Sequence, residues 1–213
     1  MKDLLMIGAS GHGRVVADLA EQTGRYREVF FLDDCIERIG SWFAGRKVLG
    51  TSAYAMEHVK DYEIFIAVGH SAVRERLMEQ LVTVHAVIPV LVHPSAVVAR
   101  DVSIGSGSVV MAGAVVNSGA HLGKGVIVNT CSSVDHDCVV EDFVHIAVGA
   151  HVAGTVHIGR HTWIGAGATV SNNLTIVDQV MLGAGAVAVK DLLSSGTYAG
   201  VPAKRMADRE ERS

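Results

Sequence analysis

The chain has few aromatic residues: Phe, Trp and Tyr make up 5% of its 213 residues, whereas hydrophobic residues together reach 49%. Large rings therefore cannot fill the interior, and small aliphatic side chains with 23 glycines must do so. Such a composition favours a narrow, repetitive β core over a bulky globular one. The length predicts one or two domains with enough apolar material for a core.

The sequence also lacks a basic excess and a long apolar run. Its formal net charge of −4 gives no basic surface for nucleic acid, although a local phosphate site is compatible with it. No stretch approaches the length of a membrane span, and residues 1–7 lack the length and flanks of a signal peptide. The three cysteines, Cys35, Cys131 and Cys138, have no metal-type spacing, so we expect reduced thiols and a cytoplasmic protein.

Residues 1–90 alternate strand and helix patterns. Apolar strands are predicted at 4–7, 29–32, 64–68 and 86–88, and helices at about 14–23 and 71–81. This alternation favours an α/β domain with a small parallel sheet that binds ligands at the C-terminal ends of its strands. We expect a second domain at 91–213, with a frayed tail after Met206.

From residue 96 to residue 191 the sequence follows a strict six-residue period, in blocks such as SVVMAG, AVVNSG and VHIAVG. The third place is Val, Ile or Leu in every block except the last, where it is Ala188, and the first place is always small or aliphatic. An α-helix needs a period of 3.6 residues, which this pattern excludes. The period predicts an all-β solenoid of short stacked strands.

In this pattern the sequence resembles the hexapeptide-repeat acyltransferases, whose solenoid is a left-handed parallel β-helix with three hexads in each 18-residue coil. Almost the whole chain resembles one branch, the sugar-nucleotide acetyltransferases of the bacillosamine and sialic-acid pathways. Those enzymes join a small Rossmann-like domain to the β-helix. The matching segments are IGASGHGRVVAD, FFLDD, FIAVG, HPSA and NTCSSVDHDCVVEDFVHIAVGAHVAG.

The resemblance implies an acetyl-CoA-dependent N-acetyltransferase that acts as a homotrimer on the 4-amino group of a UDP-4-amino-4,6-dideoxy sugar. A sialic-acid O-acetyltransferase resembles the chain nearly as closely. Two alternatives from other classes are a non-catalytic nucleotide-sugar-binding protein and an NAD-dependent reductase.

Coils of 18 residues place His136 beside Gly154, because each residue lies next to the residue 18 positions later. An imidazole can then take a proton while a bare amide stabilises a developing oxyanion. Either Asp135 or Asp137 can orient the ring, and the residues alone are equally compatible with a solvated turn. In the resembled family the matching histidine is the general base, the glycine amide binds the acetyl carbonyl, and the matching acidic residue is Asp137.

The resemblance also implies a coenzyme site in a groove between neighbouring subunits. Asn129 and His145 match family residues near the acetyl group or the acceptor amine. The alternative is that both are polar side chains on the prism surface with no role in binding. Backbone amides would bind the pantetheine, and two lysines would bind the phosphates of the coenzyme. The alternative is that these lysines are only solvated. The residues expected here are Asn129, His145, Gly154, Gly165, Ala166, Ala184, Gly185, Lys190 and Lys204.

Three histidines, His145, His151 and His157, recur every six residues. Successive hexads occupy successive faces of the prism, so one subunit cannot gather these rings around one metal ion. We expect no metal.

The segment at residues 8–13 follows a strand and opens a helix, so its amides can bind a phosphate. Its G-x-x-G-x-G spacing differs from the dinucleotide G-x-G-x-x-G, which counts against NAD. In the resembled family this loop and an acidic pair hold the UDP-sugar. Arg74 is a candidate contact for a phosphate or the sugar, and the alternative is a solvated arginine on the helix surface. The expected substrate contacts are Gly11, His12, Gly13, Asp33, Asp34, Gly69 and Arg74.

Overall fold

The computed structural model describes residues 1–207 and begins with an α/β domain. Residues 208–213, which make up most of the predicted tail, lie outside the described residues. The elements of the domain are β1 (Lys2–Ile7), α1 (Gly11–Gln22), β2 (Tyr26–Leu32), a 3₁₀ helix (Ile36–Arg38), β3 (Trp42–Phe43), β4 (Arg46–Gly50), α2 (Ser52–Glu57), β5 (Tyr62–Ile66) and α3 (Ser71–Thr83). The strand order is β3-β4-β2-β1-β5, and every pair is parallel except the β3–β4 hairpin.

Strand β1 is apolar along most of its length because helices cover both faces of the sheet. Leu4 and Met6 pack in one cluster with Val16 of α1, whereas Leu5 packs on the opposite face with Leu77 of α3. Within residues 1–207, every helix is too short or too polar to cross a bilayer.

Two sequence predictions for this domain need correction, and two features of it were not predicted. The strand expected at 86–88 does not form: Val87 accepts one hydrogen bond from the Ile64 amide, at 3.0 Å, but Pro89 follows and has no N–H for a ladder. Helix α1 begins at Gly11 rather than near residue 14, because Ser10 caps it. The β3–β4 hairpin and α2 have no counterpart in the sequence prediction.

The remaining strands form a triangular solenoid of three sheets. The domain-facing sheet, against which the α/β domain packs, contains β6 (Leu91–Val92), β9 (Val109–Val110), β12 (Ile127–Val128), β15 (His145–Ile146), β18 (Trp163–Ile164), β21 (Val180–Leu182), β23 (Gly196–Ala199) and β24 (Lys204–Arg205). The second sheet contains β7 (Val97–Val98), β10 (Val115–Val116), β13 (Ser133–Val134), β16 (His151–Val152), β19 (Thr169–Val170) and β22 (Val187–Ala188). The third sheet contains β8 (Ser103–Ile104), β11 (His121–Leu122), β14 (Val139–Val140), β17 (His157–Ile158) and β20 (Thr175–Ile176).

Within the hexad region each strand pairs in parallel with the strand one coil later, 18 residues along the chain, as Ser133 does with His151. His145, His151 and His157 consequently lie on three different sheets. Among the described residues, no group of three or more His, Cys, Asp or Glu side chains is arranged to hold a metal ion. The solenoid extends beyond the sixteen hexads, since β6 precedes them and β23 and β24 follow them.

The repeat builds both the core and the corners of the prism. From Val110 to Ala188, the third-place side chains are at most 3% exposed and form one continuous apolar column. At the corners, every sixth-place residue from Gly107 to Gly185 has a positive φ, between 53° and 74°. Half of these positions carry glycine, which adopts this conformation without steric cost.

Arg74 joins the two domains at their interface. Its side chain is 1% exposed, with Nε donating to Gly125 O at 2.8 Å and Nη2 to Phe143 O at 2.9 Å, both in the solenoid. Nη1 donates to Val68 O at 2.8 Å and to Gly69 O at 2.9 Å, both after β5. Burial lowers the pKa of Arg74 to about 10, so the group stays charged at neutral pH. Backbone carbonyls thus contact all three guanidinium nitrogens, which gives Arg74 a role at the domain interface; a substrate contact stays a prediction.

We predict that Arg74→Met lowers the free energy of unfolding by about 3 kcal/mol or more, because it leaves buried carbonyls of both domains unpaired. Urea denaturation followed by circular dichroism measures this. Arg76→Met, at an exposed position of the same helix, is the control and should change the value by less than about 0.5 kcal/mol. Equal effects of the two substitutions would contradict the role of Arg74 at the interface.

Candidate active site

His136, Asp137 and Gly154 meet at the corner between the second and third sheets. His136 Nδ1 lies 2.9 Å from Asp137 Oδ2. The imidazole lies directly over Gly154, where a Cβ would come within 2.6 Å of His136 Cε1. The Gly154 N–H has no hydrogen-bond partner within residues 1–207, and the His136 side chain is 58% exposed. An accessible imidazole therefore lies beside an unused amide.

The two aspartates at this corner have different tasks. Asp135 accepts hydrogen bonds from Asn117 Nδ2 and from the His136 amide, each at 2.8 Å, and so fixes the turn. Asp137 contacts the ring, and this hydrogen bond raises the pKa of His136 above its usual value. Asp137 has a φ of 56° and lies against Gly119, where any Cβ would overlap its carboxylate. The fold thus accepts a strained residue at the position that orients the imidazole.

A second group of polar side chains lies on the domain-facing sheet. Asn129 Nδ2 is 3.1 Å from His145 Nε2, and the His145 and His12 ring centroids are 6.5 Å apart. Because Asn129 Oδ1 accepts the Thr130 amide at 2.8 Å, the NH₂ group of Asn129 faces Nε2 of His145. Burial lowers the pKa of His145 to about 3, with smaller effects from His12 and Arg74. Burial, with a smaller effect from Arg74, lowers the pKa of His12 to about 4. Both rings are therefore neutral near pH 7.

The glycine-rich loop connects β1 to α1. The Gly11 and His12 amides have no hydrogen-bond partner within residues 1–207, whereas the Gly13 amide donates to Ser10 Oγ at 3.3 Å. A Cβ at Gly13 would collide with the Gly8 carbonyl, so Gly13 lets the helix pack against the strand. Two of these three residues, which form the first turn of α1, thus present free amides at the helix N-terminus, where anions bind.

Asp33 and Asp34 follow β2 at the same edge of the sheet. Asp33 Oδ2 accepts from the Ala9 amide and from Arg38 Nη1, each at 3.1 Å, and Asp34 binds the Ser52 amide at 2.8 Å. Both carboxylates therefore brace loops, which leaves fewer lone pairs for a nucleoside. Arg38, which the sequence analysis missed, brings a half-exposed cation to the loop. No motif identifies it, since only the tertiary fold places it there.

The residues predicted for the coenzyme lie mainly at the corner between the domain-facing and second sheets. The Gly165 amide donates to Leu182 O and the Gly185 amide to Ala166 O, each at 2.8 Å, so the coil itself uses these two donors. The amides of Ala166 and Ala184 have no partner within residues 1–207 and lie at exposed positions. A Cβ at Gly165 would lie 2.5 Å from Leu182 O, so only glycine allows the coils to stack. Lys190 and Lys204 are both exposed.

The polar side chains expected nearest to the reaction thus lie in two separate places within one subunit. His12, Asn129 and His145 lie on the domain-facing side, next to the glycine-rich loop. His136 lies at the corner between the second and third sheets, which is opposite the domain-facing sheet in a triangular prism.

Comparisons with known proteins agree with this architecture. A family model described as "PglD N-terminal domain" matches residues 3–81. The GDP-perosamine N-acetyltransferase of Escherichia coli is 30% identical over 176 residues, which is 79% of this chain and 78% of that enzyme. The UDP-N-acetylbacillosamine N-acetyltransferase of Bacillus subtilis is 33% identical over 115 residues, 53% of this chain and 52% of that enzyme. The acetyltransferase domain of PglB from Neisseria gonorrhoeae, in complex with acetyl coenzyme A, has a TM-score of 0.92 and 43% identity, with 96% of this chain and 99% of that chain covered.

The fold and its corner chemistry define a left-handed β-helix acyltransferase with an N-terminal α/β domain. The extent of the match to the E. coli enzyme goes further: the chain belongs to the family of acetyl-CoA-dependent sugar N-acetyltransferases. The family predicted from the sequence motifs is confirmed.

We predict that Gly154→Ala lowers kcat/KM by about 100-fold, the lower end of what a positioned general base contributes, because the new methyl group displaces the His136 ring. Steady-state kinetics with acetyl-CoA measures this, and an unchanged melting temperature shows that the fold is intact. In a His136→Ala background, with no ring to displace, the same substitution should cost far less. Full additivity of the two losses would contradict the contact.

Proposed function

We propose that the chain transfers the acetyl group of acetyl-CoA to the 4-amino group of a UDP-linked 4-amino-4,6-dideoxy sugar, with His136 as general base. The observation that carries this proposal is the His136 imidazole held between the Asp137 carboxylate and the unused Gly154 amide. The Bacillus subtilis relative, an N-acetyltransferase of a UDP-linked amino sugar, supports the choice of acceptor.

In the proposed reaction the amine nitrogen attacks the thioester carbonyl carbon and the carbon–sulfur bond breaks. Nδ1 of His136 faces Asp137, so Nε2 receives the proton that the amine loses. The Gly154 N–H stabilises the negative charge that develops on the carbonyl oxygen. The proton then passes from the imidazole to the departing thiolate, which leaves as coenzyme A and regenerates the base.

We further propose a homotrimer, since one subunit holds the glycine-rich loop and His136 on opposite sides of the prism. In a ring of three subunits, the His136 corner of one can face the α/β domain of its neighbour. Asn129, His145 and the free amides of Ala166 and Ala184 then supply the coenzyme side of the shared groove. Light scattering should give three times the chain mass, and an active monomer would contradict this arrangement.

A GDP-linked 4-amino sugar is the second candidate acceptor, favoured by the coverage of the match to the E. coli enzyme. Thiol release from acetyl-CoA should be measured with the UDP-amino sugar, GDP-perosamine and free sialic acid in parallel. The proposal expects the highest kcat/KM with the UDP-linked amine and a loss of about 100- to 10,000-fold in His136→Ala. Preference for sialic acid would indicate O-acetylation, and nucleotide-sugar binding without thiol release would indicate a non-catalytic protein.

We predict that Asp137→Asn shifts the acidic limb of the kcat/KM–pH profile to lower pH and lowers its plateau. The base acts unprotonated, and the Asp137 hydrogen bond raises the His136 pKa, so its removal lets the ring lose its proton at lower pH. Asn is the matched replacement because it tolerates a positive φ. A shift to higher pH would contradict the assignment.

A further inference from the structure

The turn that carries His136 is bonded to the coils on both sides of it. The Asp137 amide donates to Ser118 O, in the preceding coil, at 3.0 Å, and the Thr155 amide, in the following coil, donates to His136 O at 2.8 Å. The amide of His136 bonds to neither coil, because it donates to Asp135 Oδ1 at 2.8 Å. The main chain at the imidazole therefore depends on where the Asp135 carboxylate is held.

Asn117 holds this carboxylate from the preceding coil. Its Nδ2 donates to Asp135 Oδ1 at 2.8 Å, the same oxygen that accepts the His136 amide. Both side chains occupy the fourth place of their hexads, so the pairing of Val116 with Val134 puts one directly beside the other. The hydrogen bond from Asn117, with a smaller effect from the His136 amide, lowers the pKa of Asp135 below its usual value. The carboxylate is therefore ionised at neutral pH and only accepts hydrogen bonds.

Carboxylates at the corner between the third and domain-facing sheets make a simpler contact. Asp142 and Asp178 each accept a backbone amide of the preceding coil, at 2.7 Å and 3.0 Å. Such a contact joins two coils, which is what stacking requires. The contact at Asp135 extends further, because its oxygen joins a side chain of one coil to the amide of the ionisable residue in the next.

The following coil lacks this carboxylate. Its fourth place is Ala153, which has no side-chain acceptor, and the next amide, that of Gly154, has no hydrogen-bond partner within residues 1–207. Two neighbouring coils thus treat the same backbone N–H in opposite ways. The amide of the proposed base is fixed, and the amide of the proposed oxyanion donor is left free, as the reaction requires of each.

We propose that Asn117 is a positioning residue for the base: it holds the Asp135 carboxylate, which fixes the main chain of His136 and keeps the imidazole over Gly154. This inference rests on the proposed function for the role of His136. Asn117 acts through His136, so its loss should slow the reaction step and leave the binding of both substrates unchanged.

The charges that act on His136 come from its own turn. The hydrogen bond to Asp137 raises the pKa of His136, and the charge of Asp135 adds a smaller effect in the same direction. The Cys138 thiol is buried and donates to a backbone carbonyl. The adjacent coils contribute uncharged residues to this corner, namely Asn117, Ser118, Gly119, Gly154 and Thr155. Charged residues of the same corner lie two or more coils away, namely Arg100, Asp101, Lys190 and Asp191.

Kinetics give the first test. Asn117→Leu keeps the size of the side chain and removes its donor, and it should lower kcat about tenfold, the scale of one hydrogen bond to a charged group, with both KM values within about twofold of wild type. In a His136→Ala background the same substitution should leave the residual rate unchanged. Asp178→Leu removes a carboxylate contact at another corner and is the control, which should keep the wild-type kcat. An unchanged kcat in Asn117→Leu, or an equal loss without the imidazole, would overturn the proposal.

A second test needs no turnover. Proton NMR follows the titration of the His136 ring, which is assigned by its absence from the spectrum of His136→Ala. In Asn117→Asp a new carboxylate adds negative charge near the imidazole, so the pKa of His136 should rise. Since the base acts unprotonated, the acidic limb of the kcat–pH profile should then move to higher pH. A His136 pKa that stays constant or falls would show that residue 117 does not act on the ring.

The two proposals fail in different ways. If His136→Ala keeps its activity, the catalytic proposal fails, and a rise of the His136 pKa in Asn117→Asp still supports the coupling of Asn117 to the ring. If His136→Ala loses its activity and Asn117→Leu does not, the positioning proposal fails alone.

Discussion

The hydrogen-bonded stacking of each coil on the next, at a fixed separation of 18 residues, is the constraint on which the rest of the structure depends. It buries the third-place aliphatic residues in one column, and the same register sets which side chains meet at each corner. A slip of one residue would turn the apolar set outward, so the register is strongly specified. The proximity of His136 to Gly154 is a consequence of this register.

The corners show where side chains were retained at a conformational cost. A non-glycine residue in the left-handed region costs on the order of 1 kcal/mol, yet Asp137, Phe143 and His161 all occupy sixth places with positive φ. Asp137 orients the imidazole, and His161 stacks on Phe143, whose carbonyl accepts Arg74. These side chains support either the His136 corner or the domain interface, which explains why glycine does not stand there.

The sequence predicts contacts that follow from the periodicity of the solenoid. It does not predict contacts that form at the interface between the two domains. The hexads, together with the coil of three hexads that the family resemblance implies, place His136 beside Gly154, 18 residues along the chain. Arg74 occupies an ordinary helix position, and nothing local distinguishes a solvated arginine from one that pairs with carbonyls 51 and 69 residues away.

The environments of the histidines decide which one suits the role of base. A general base must carry a proton during the reaction, so its surroundings have to tolerate an imidazolium. Burial lowers the pKa of His145 to about 3, which disfavours that charged form, and the nearby Arg74 charge adds to the effect. His136 has the opposite setting, since it is exposed to water and its hydrogen bond to Asp137 raises its pKa. The fold thus provides a neutral imidazole that can position a substrate and a second imidazole that can accept its proton.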